Sequence, residues 1–192
     1  PRKEAGHVSW EKSYESIDME TGYWLVLART NYLLNGIEEH CRSEGWFYKT
    51  KNRNSVSEKK VKAVRDWETL RKGGEIPLVD LIKVLNYMRV SVPTSLERND
   101  FDSNISFEEA QSYLPELKQE YWYDLFDGIS VSERSYIRAM LRRGEKITKE
   151  PRIKLSTIHA AKGGEAENVI LLTDISNRIY KSYQANPDDE SR

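Results

Sequence analysis

The chain has 192 residues, enough for one good core or a domain carrying an insertion, and its 38% hydrophobic and 32% charged content describes a soluble globular protein. Lys+Arg 30 against Asp+Glu 31 gives a formal net charge of -1, which excludes a wholesale basic protein but leaves room for a local basic track. A single cysteine, Cys41, cannot close an intramolecular disulfide, no apolar run is long enough for a signal peptide or membrane helix, and His7, His40 and His159 are too widely spread for metal-ligand spacing. A reducing, cytoplasmic setting without structural metal or membrane contact is expected.

In chain order, Val8 to Trp10 is a first strand candidate. Tyr23 to Ala28 (YWLVLA) follows Gly22 as a nearly continuous apolar run, the pattern of a strand buried on both faces of a parallel sheet. Leu33, Leu34, Ile37 and Cys41 then recur at helical spacing from Asn31 onward, with Gly45 placed as the C-terminal cap, and Trp46 to Thr50 is a further strand. From about Asn52 the pattern turns helical. Ser55 with Glu58 makes a capping box ahead of Val61, Val64, Trp67 and Leu70, and Pro77 opens a helix with the stripe Leu78, Leu81, Ile82, Leu85 and Met88, ended before Pro93. Ser106 with Glu109 and Ser130 with Glu133 are further capping boxes; the last opens a helix with Tyr136, Ile137, Met140 and Leu141 inward and Gly144 at its end. After Pro151 strand patterns return in Ile153 to Ile158 and Val169 to Asp174, so a helical block interrupts one α/β sheet. The polar, acidic Ser182 to Arg192 reads as a loop.

Charge is segregated. Lys51, Arg53, Lys59, Lys60, Lys62, Arg65 and Arg71 fall between Lys49 and Lys72, whereas Asp100, Asp102, Glu108, Glu109, Glu116, Glu120, Asp124 and Asp127 dominate the later stretch. These are either two solvated helix faces or a basic track that meets phosphate.

The polar turn between the last two strands gathers Thr157, His159, Lys162, Gly163, Gly164 and Glu165 at one sheet edge, and in open α/β sheets the carboxyl edge is where ligands bind. Gly163-Gly164 lets backbone N–H groups approach a phosphate, and Glu165 can accept from a sugar hydroxyl. On its own the pattern equally fits a Gly-rich turn with an exposed histidine.

Thr157-Ile-His159-Ala-Ala-Lys162-Gly163-Gly164-Glu165, with a strand on either side, resembles motif V of UvrD/Rep-type superfamily 1 helicases, and Leu27-Ala28-Arg29-Thr30-Asn31 at a strand end resembles their motif IV. The resemblance covers about half the chain. It implies an α/β fold: a RecA-like, P-loop NTPase-type parallel sheet with flanking helices from residues 1–50 and 151–192, the second motor domain (2A), interrupted by an all-α, 2B-like insertion at 51–150. By the same resemblance Arg29 is catalytic, reaching the γ-phosphate of ATP. Gly163 lies near that phosphate, Glu165 binds the ribose, and Thr157, His159 and Asn31 contact single-stranded DNA; Lys162 either touches phosphate or pins the loop. A guanidinium suits the first role because it is a fixed fork of donors that stays charged as phosphoryl transfer develops.

Two departures qualify the match. Gly164 stands where the family usually has Leu, which removes an apolar anchor and implies a looser loop. The sequence also holds no Gly-x-x-x-x-Gly-Lys-[Ser/Thr] loop and no acidic Mg²⁺ motif, so ATP with Mg²⁺ requires a first RecA-like lobe, and motif VI is expected just past Asp188 to Arg192. The sequence therefore reads as a piece of a longer 3′ to 5′ helicase, inactive alone. The alternatives are a non-catalytic RecA-like module binding nucleic acid or protein, and a lobe of a helicase-nuclease subunit. The basic stretch and Tyr121-Trp122-Tyr123 give the inserted helices a duplex-contacting or regulatory role, unless those aromatics are core.

Overall fold

A computed structural model describes residues 6–97, 103–147, 149–162, 164–174, 180–181 and 184–185. The chain divides into two compact units, one of Pro1–Asn52 with Pro151–Arg192 and the other of Arg53–Glu150.

The first unit is α/β. Strand β1 (Trp24–Ala28) leads through a 3-10 turn (Asn31–Leu34) into helix α1 (Asn35–Glu44), where a single continuous helix is the sequence expectation. Gly45 ends α1 as expected, at φ 71°, a left-handed conformation that costs glycine least. A short β2 (Tyr48–Lys49) follows. In chain order the second unit then contributes α2 (Glu58–Arg71), β3 (Ile76–Pro77), α3 (Leu78–Met88), α4 (Thr94–Glu97), β4 (Asn104–Ile105), α5 (Phe107–Tyr113), α6 (Trp122–Leu125) and α7 (Val131–Arg143). The chain returns to the first unit with β5 (Ile153–Thr157) and β6 (Asn168–Leu171).

Among the described residues the sheet has the order β2-β5-β1-β6, with every neighbour parallel. Val26, Leu155 and Ile170 are register partners on one face, and all three are buried, as are Ile37 and Cys41 on α1. The opposite face is only partly covered: Leu25 and Ser156 are buried, but Val169 and Leu171 are each 55% exposed, so β1 is not flanked by apolar layers along its whole length on both sides. Parallel strands need a crossover. Between β5 and β6 that crossover is residues 158–167, the turn singled out above; between β2 and β5 it is the entire second unit.

The second unit departs from an all-α insertion in one respect: β3 and β4 form an antiparallel pair, Ile76 opposite Ile105. Its core holds Trp67, fully buried with its indole N–H donating to the Glu120 carbonyl at 2.9 Å and its ring edge-on to Phe107. The Ser106–Glu109 capping box is present in both directions. The Ser130 hydroxyl caps α7, but the Glu133 carboxylate turns away to Lys60 at 2.6 Å, so that box is half-formed. Ser57, not Ser55, caps α2; Ser55 is buried and accepts from the Tyr136 hydroxyl at 2.7 Å, because a buried hydroxyl with a partner outweighs a cap that a neighbouring serine can supply. Pro77 is the residue before α3 rather than within its first turn, and α3 stops at Arg89, in left-handed conformation at φ 58°. Val84 is buried while Ile82 is only half-buried, and on α7 Leu141 is 41% exposed, so both apolar stripes lie slightly rotated from their sequence reading.

No strand forms at Val8 to Trp10, which are 82% and 85% exposed at their ends and have no hydrogen-bonded neighbour strand. Most of Ser182 to Arg192 lies outside the described residues. No described helix is long and apolar enough to cross a membrane.

Candidate functional site

Sheet order brings together two segments that are far apart in the chain. β1 and β5 run side by side with Ala28 opposite Thr157, and the Ile158 N–H donates to the Ala28 carbonyl at 3.0 Å. Arg29, Thr30 and Asn31 therefore leave the carboxyl end of β1 directly beside Thr157, Ile158 and His159 at the end of β5. This is the edge at which parallel sheets present ligand-binding loops.

The crossover after β5 is held by its own backbone. Ala161 N–H donates to Thr157 O at 3.0 Å, Gly164 N–H donates to Ala161 O at 2.8 Å, and the Thr157 hydroxyl accepts from Ala160 N–H at 3.3 Å. Thr157 is thus engaged in shaping the turn. Gly164 sits against Leu25: a β-carbon added there would lie 4.0 Å from Leu25 Cδ2 and 3.1 Å from the Ala161 carbonyl. The tight approach explains glycine here, and the turn is braced despite lacking an apolar side chain at this position. The loop accordingly descends the sheet, from Thr157 opposite Ala28, past Leu25 at Gly164, to Asn168 opposite Trp24. Three strand residues separate Ala28, opposite Thr157, from Leu25, roughly 10 Å of rise.

Arg29, Asn31, His159, Lys162 and Glu165 are exposed, and none makes a side-chain hydrogen bond or ion pair among the described residues. Two cations and an imidazole thus face solvent with one carboxylate further along the loop, a donor set suited to phosphate oxygens at one end and to a hydroxyl-bearing group at the other. Gly163 lies outside the described residues. Thr30 and Tyr32 belong to the same edge although the sequence reading passed over them. The Thr30 hydroxyl oxygen is buried without a hydrogen-bond partner among the described residues, and Tyr32 is 75% exposed. The available signal was that Tyr32 falls off the apolar stripe of Leu33, Leu34, Ile37 and Cys41.

The second unit treats its basic stretch differently. Lys60 pairs with Glu133, Lys62 with Asp66 at 2.8 Å and Asp80 at 2.5 Å, and Arg71 with Glu68 at 2.8 Å. Burial opposes the charge on Asp80, but hydrogen bonds and charge from Lys62 and Lys83 outweigh it and hold its carboxyl below the usual value. Of the aromatic triplet, Trp122 is buried. Tyr121 and Tyr123 stack on each other at 5.2 Å, with Arg71 4.3 Å over Tyr121 and Arg138 4.2 Å over Tyr123. Each ring is thus engaged by an arginine and by the other tyrosine, which braces the cluster, although Tyr121 keeps 49% of its surface exposed.

Comparison with known proteins finds no matching family model, no matching curated protein and no matching solved structure. What stands is an α/β unit with a parallel four-stranded sheet and flanking helices, carrying a mainly helical unit between two of its strands.

Proposed function

We propose that the first unit is the second RecA-like motor lobe of a UvrD/Rep-type superfamily 1 DNA helicase. One observation carries the reading: the two segments that resemble motifs IV and V sit on adjacent strands, and their charged side chains are exposed at one sheet edge without a partner among the described residues. Arg29 reaches the γ-phosphate of ATP held by a first lobe and stabilises charge developing there. Glu165, at the far end of the descending loop, accepts from the ribose hydroxyls. His159 and Asn31 meet the backbone of single-stranded DNA, while Thr157 chiefly shapes the turn and Lys162 adds positive charge. The cationic and hydroxylic donors fit phosphate oxygens, and of the two carboxylates in the crossover Glu167 already accepts from the Tyr23 N–H, so Mg²⁺ ligands fall to the first lobe.

The test is DNA-stimulated ATP hydrolysis by the polypeptide that joins this lobe to a phosphate-loop lobe. Arg29→Ala is expected to lower the rate about 10³-fold or more, and an unimpaired variant would sink the assignment. The competing reading is a non-catalytic RecA-like binding module. It predicts single-strand binding with no response to ATP even when a first lobe is supplied.

A further inference from the structure

We propose that Tyr32 is a base-stacking side chain of this edge, gripping a nucleobase of the single strand whose backbone meets His159 and Asn31; the proposal rests on the DNA-contacting role given above. Tyr32 is 75% exposed, and no other described ring packs against it. An aromatic side chain left in water off the apolar stripe of its own segment loses burial energy that a stacked base restores. Its backbone is well held: the 3-10 turn Asn31–Leu34 packs against both β1 and β5, with Leu34 buried and the Leu33 N–H donating to Thr30 O at 3.2 Å. A stacking ring on a fixed element loses little conformational freedom when it engages a ligand.

Position selects the base. Tyr32 is one residue from Asn31 and three from Arg29, at the end of the sheet where Thr157 lies opposite Ala28. Gly164 lies instead beside the Leu25 side chain, three residues or roughly 10 Å down the strand from Ala28. Tyr32 directly follows Asn31, so a single strand that meets Asn31 and His159 passes it. Ile158, 44% exposed and joined to Ala28 through its N–H, adds apolar surface beside the same position. Arg29, Asn31 and His159 supply backbone contacts and Tyr32 a π-face, the combination by which single strands are held without sequence preference.

The experiment titrates the full chain at low salt with an oligothymidylate carrying one 2-aminopurine, and with an abasic strand of equal length and phosphate number. The proteins are wild type, Tyr32→Ala and Tyr32→Trp. Tyr32→Ala is expected to weaken the base-bearing strand about 5- to 150-fold, the alanine-substitution cost of one stacked base. It should abolish 2-aminopurine quenching and leave the abasic strand unchanged, with Tyr32→Trp keeping affinity and quenching. Tyr32→Ala equal to wild type on both strands overturns the stacking role but not the backbone contacts, and equal losses on both strands overturn it too. Wild type that binds neither strand overturns the DNA-contacting reading along with it.

Discussion

In the helical unit Asp80 draws in Lys62 at 2.5 Å and Lys83 at 2.9 Å, Glu133 takes Lys60, and two arginines sit over a pair of stacked tyrosines. At the carboxyl edge of the parallel sheet, Arg29, His159, Lys162 and Glu165 have no such partners. Three of the seven basic residues that look most like a nucleic-acid track in the sequence, Lys60, Lys62 and Arg71, are thus engaged by acidic neighbours, whereas the sparse ones at the sheet edge have no such partner among the described residues. Cation density is a poorer guide to binding than whether the cations are already paired.

The contrast predicts which substitutions cost stability and which cost only binding. Trp67→Ala should have the largest effect on folding, removing about 3–5 kcal/mol from the helical unit, measured as an earlier urea transition. A variant as stable as wild type would mean that the Trp67 pocket is not core. The two units should also fail at opposite ends of the pH scale. Tyr48 is buried in the α/β unit, hydrogen-bonded to Glu38 and Arg42, and burial first of all pushes its hydroxyl up to about 12. Because the folded value is raised, its contribution is full below pH 10 and is lost as pH climbs through about 12. Tyr48→Phe should flatten that alkaline limb, worth about 1–2 kcal/mol.

Asp80 behaves the opposite way: its folded value is depressed, so its stabilisation holds above the ordinary 3.8 and drains as pH falls through the lower folded value. Asp80→Asn should cost about 1 kcal/mol at neutral pH, since both lysine partners are more than half exposed, and should flatten the acid limb seen by circular dichroism. Thr30→Val, which removes a buried hydroxyl lacking a partner, should raise stability by up to about 1 kcal/mol. A drop in the thermal midpoint would show that the hydroxyl is engaged. Arg29→Ala should leave stability unchanged within about 0.5 kcal/mol while it removes activity, the reverse of Asp80→Asn.

Local chemistry made much of this legible. Gly45 and Gly144 both cap helices in left-handed conformation, Ser106 with Glu109 closes its box, and β1 and β5 lie within one residue of their apolar runs. What sequence hid depends on distant partners. Glu133 looks like a capping residue until Lys60 is placed beside it, and Tyr121 looks like an isolated ring until Arg71 and Tyr123 are placed against it. The residue types of the candidate site were visible, but the pairing of Ala28 with Thr157 that unites them was not, because strand spacing in a sequence does not fix strand order.

That strand order also sets a schedule. Both neighbours of β1, namely β5 and β6, come after the whole helical unit, so Trp24–Ala28 emerges during synthesis with neither edge paired and waits until residue 153 and beyond for its first hydrogen-bonded neighbour. The helical unit, a compact unit of its own over Arg53–Glu150, is complete in the chain before β5 emerges and is free to fold in the interval. Sheet assembly is then the late, slow step, since closing so long a loop precedes any gain from pairing. Until then the apolar β1 is the segment most exposed to mispairing with another nascent chain.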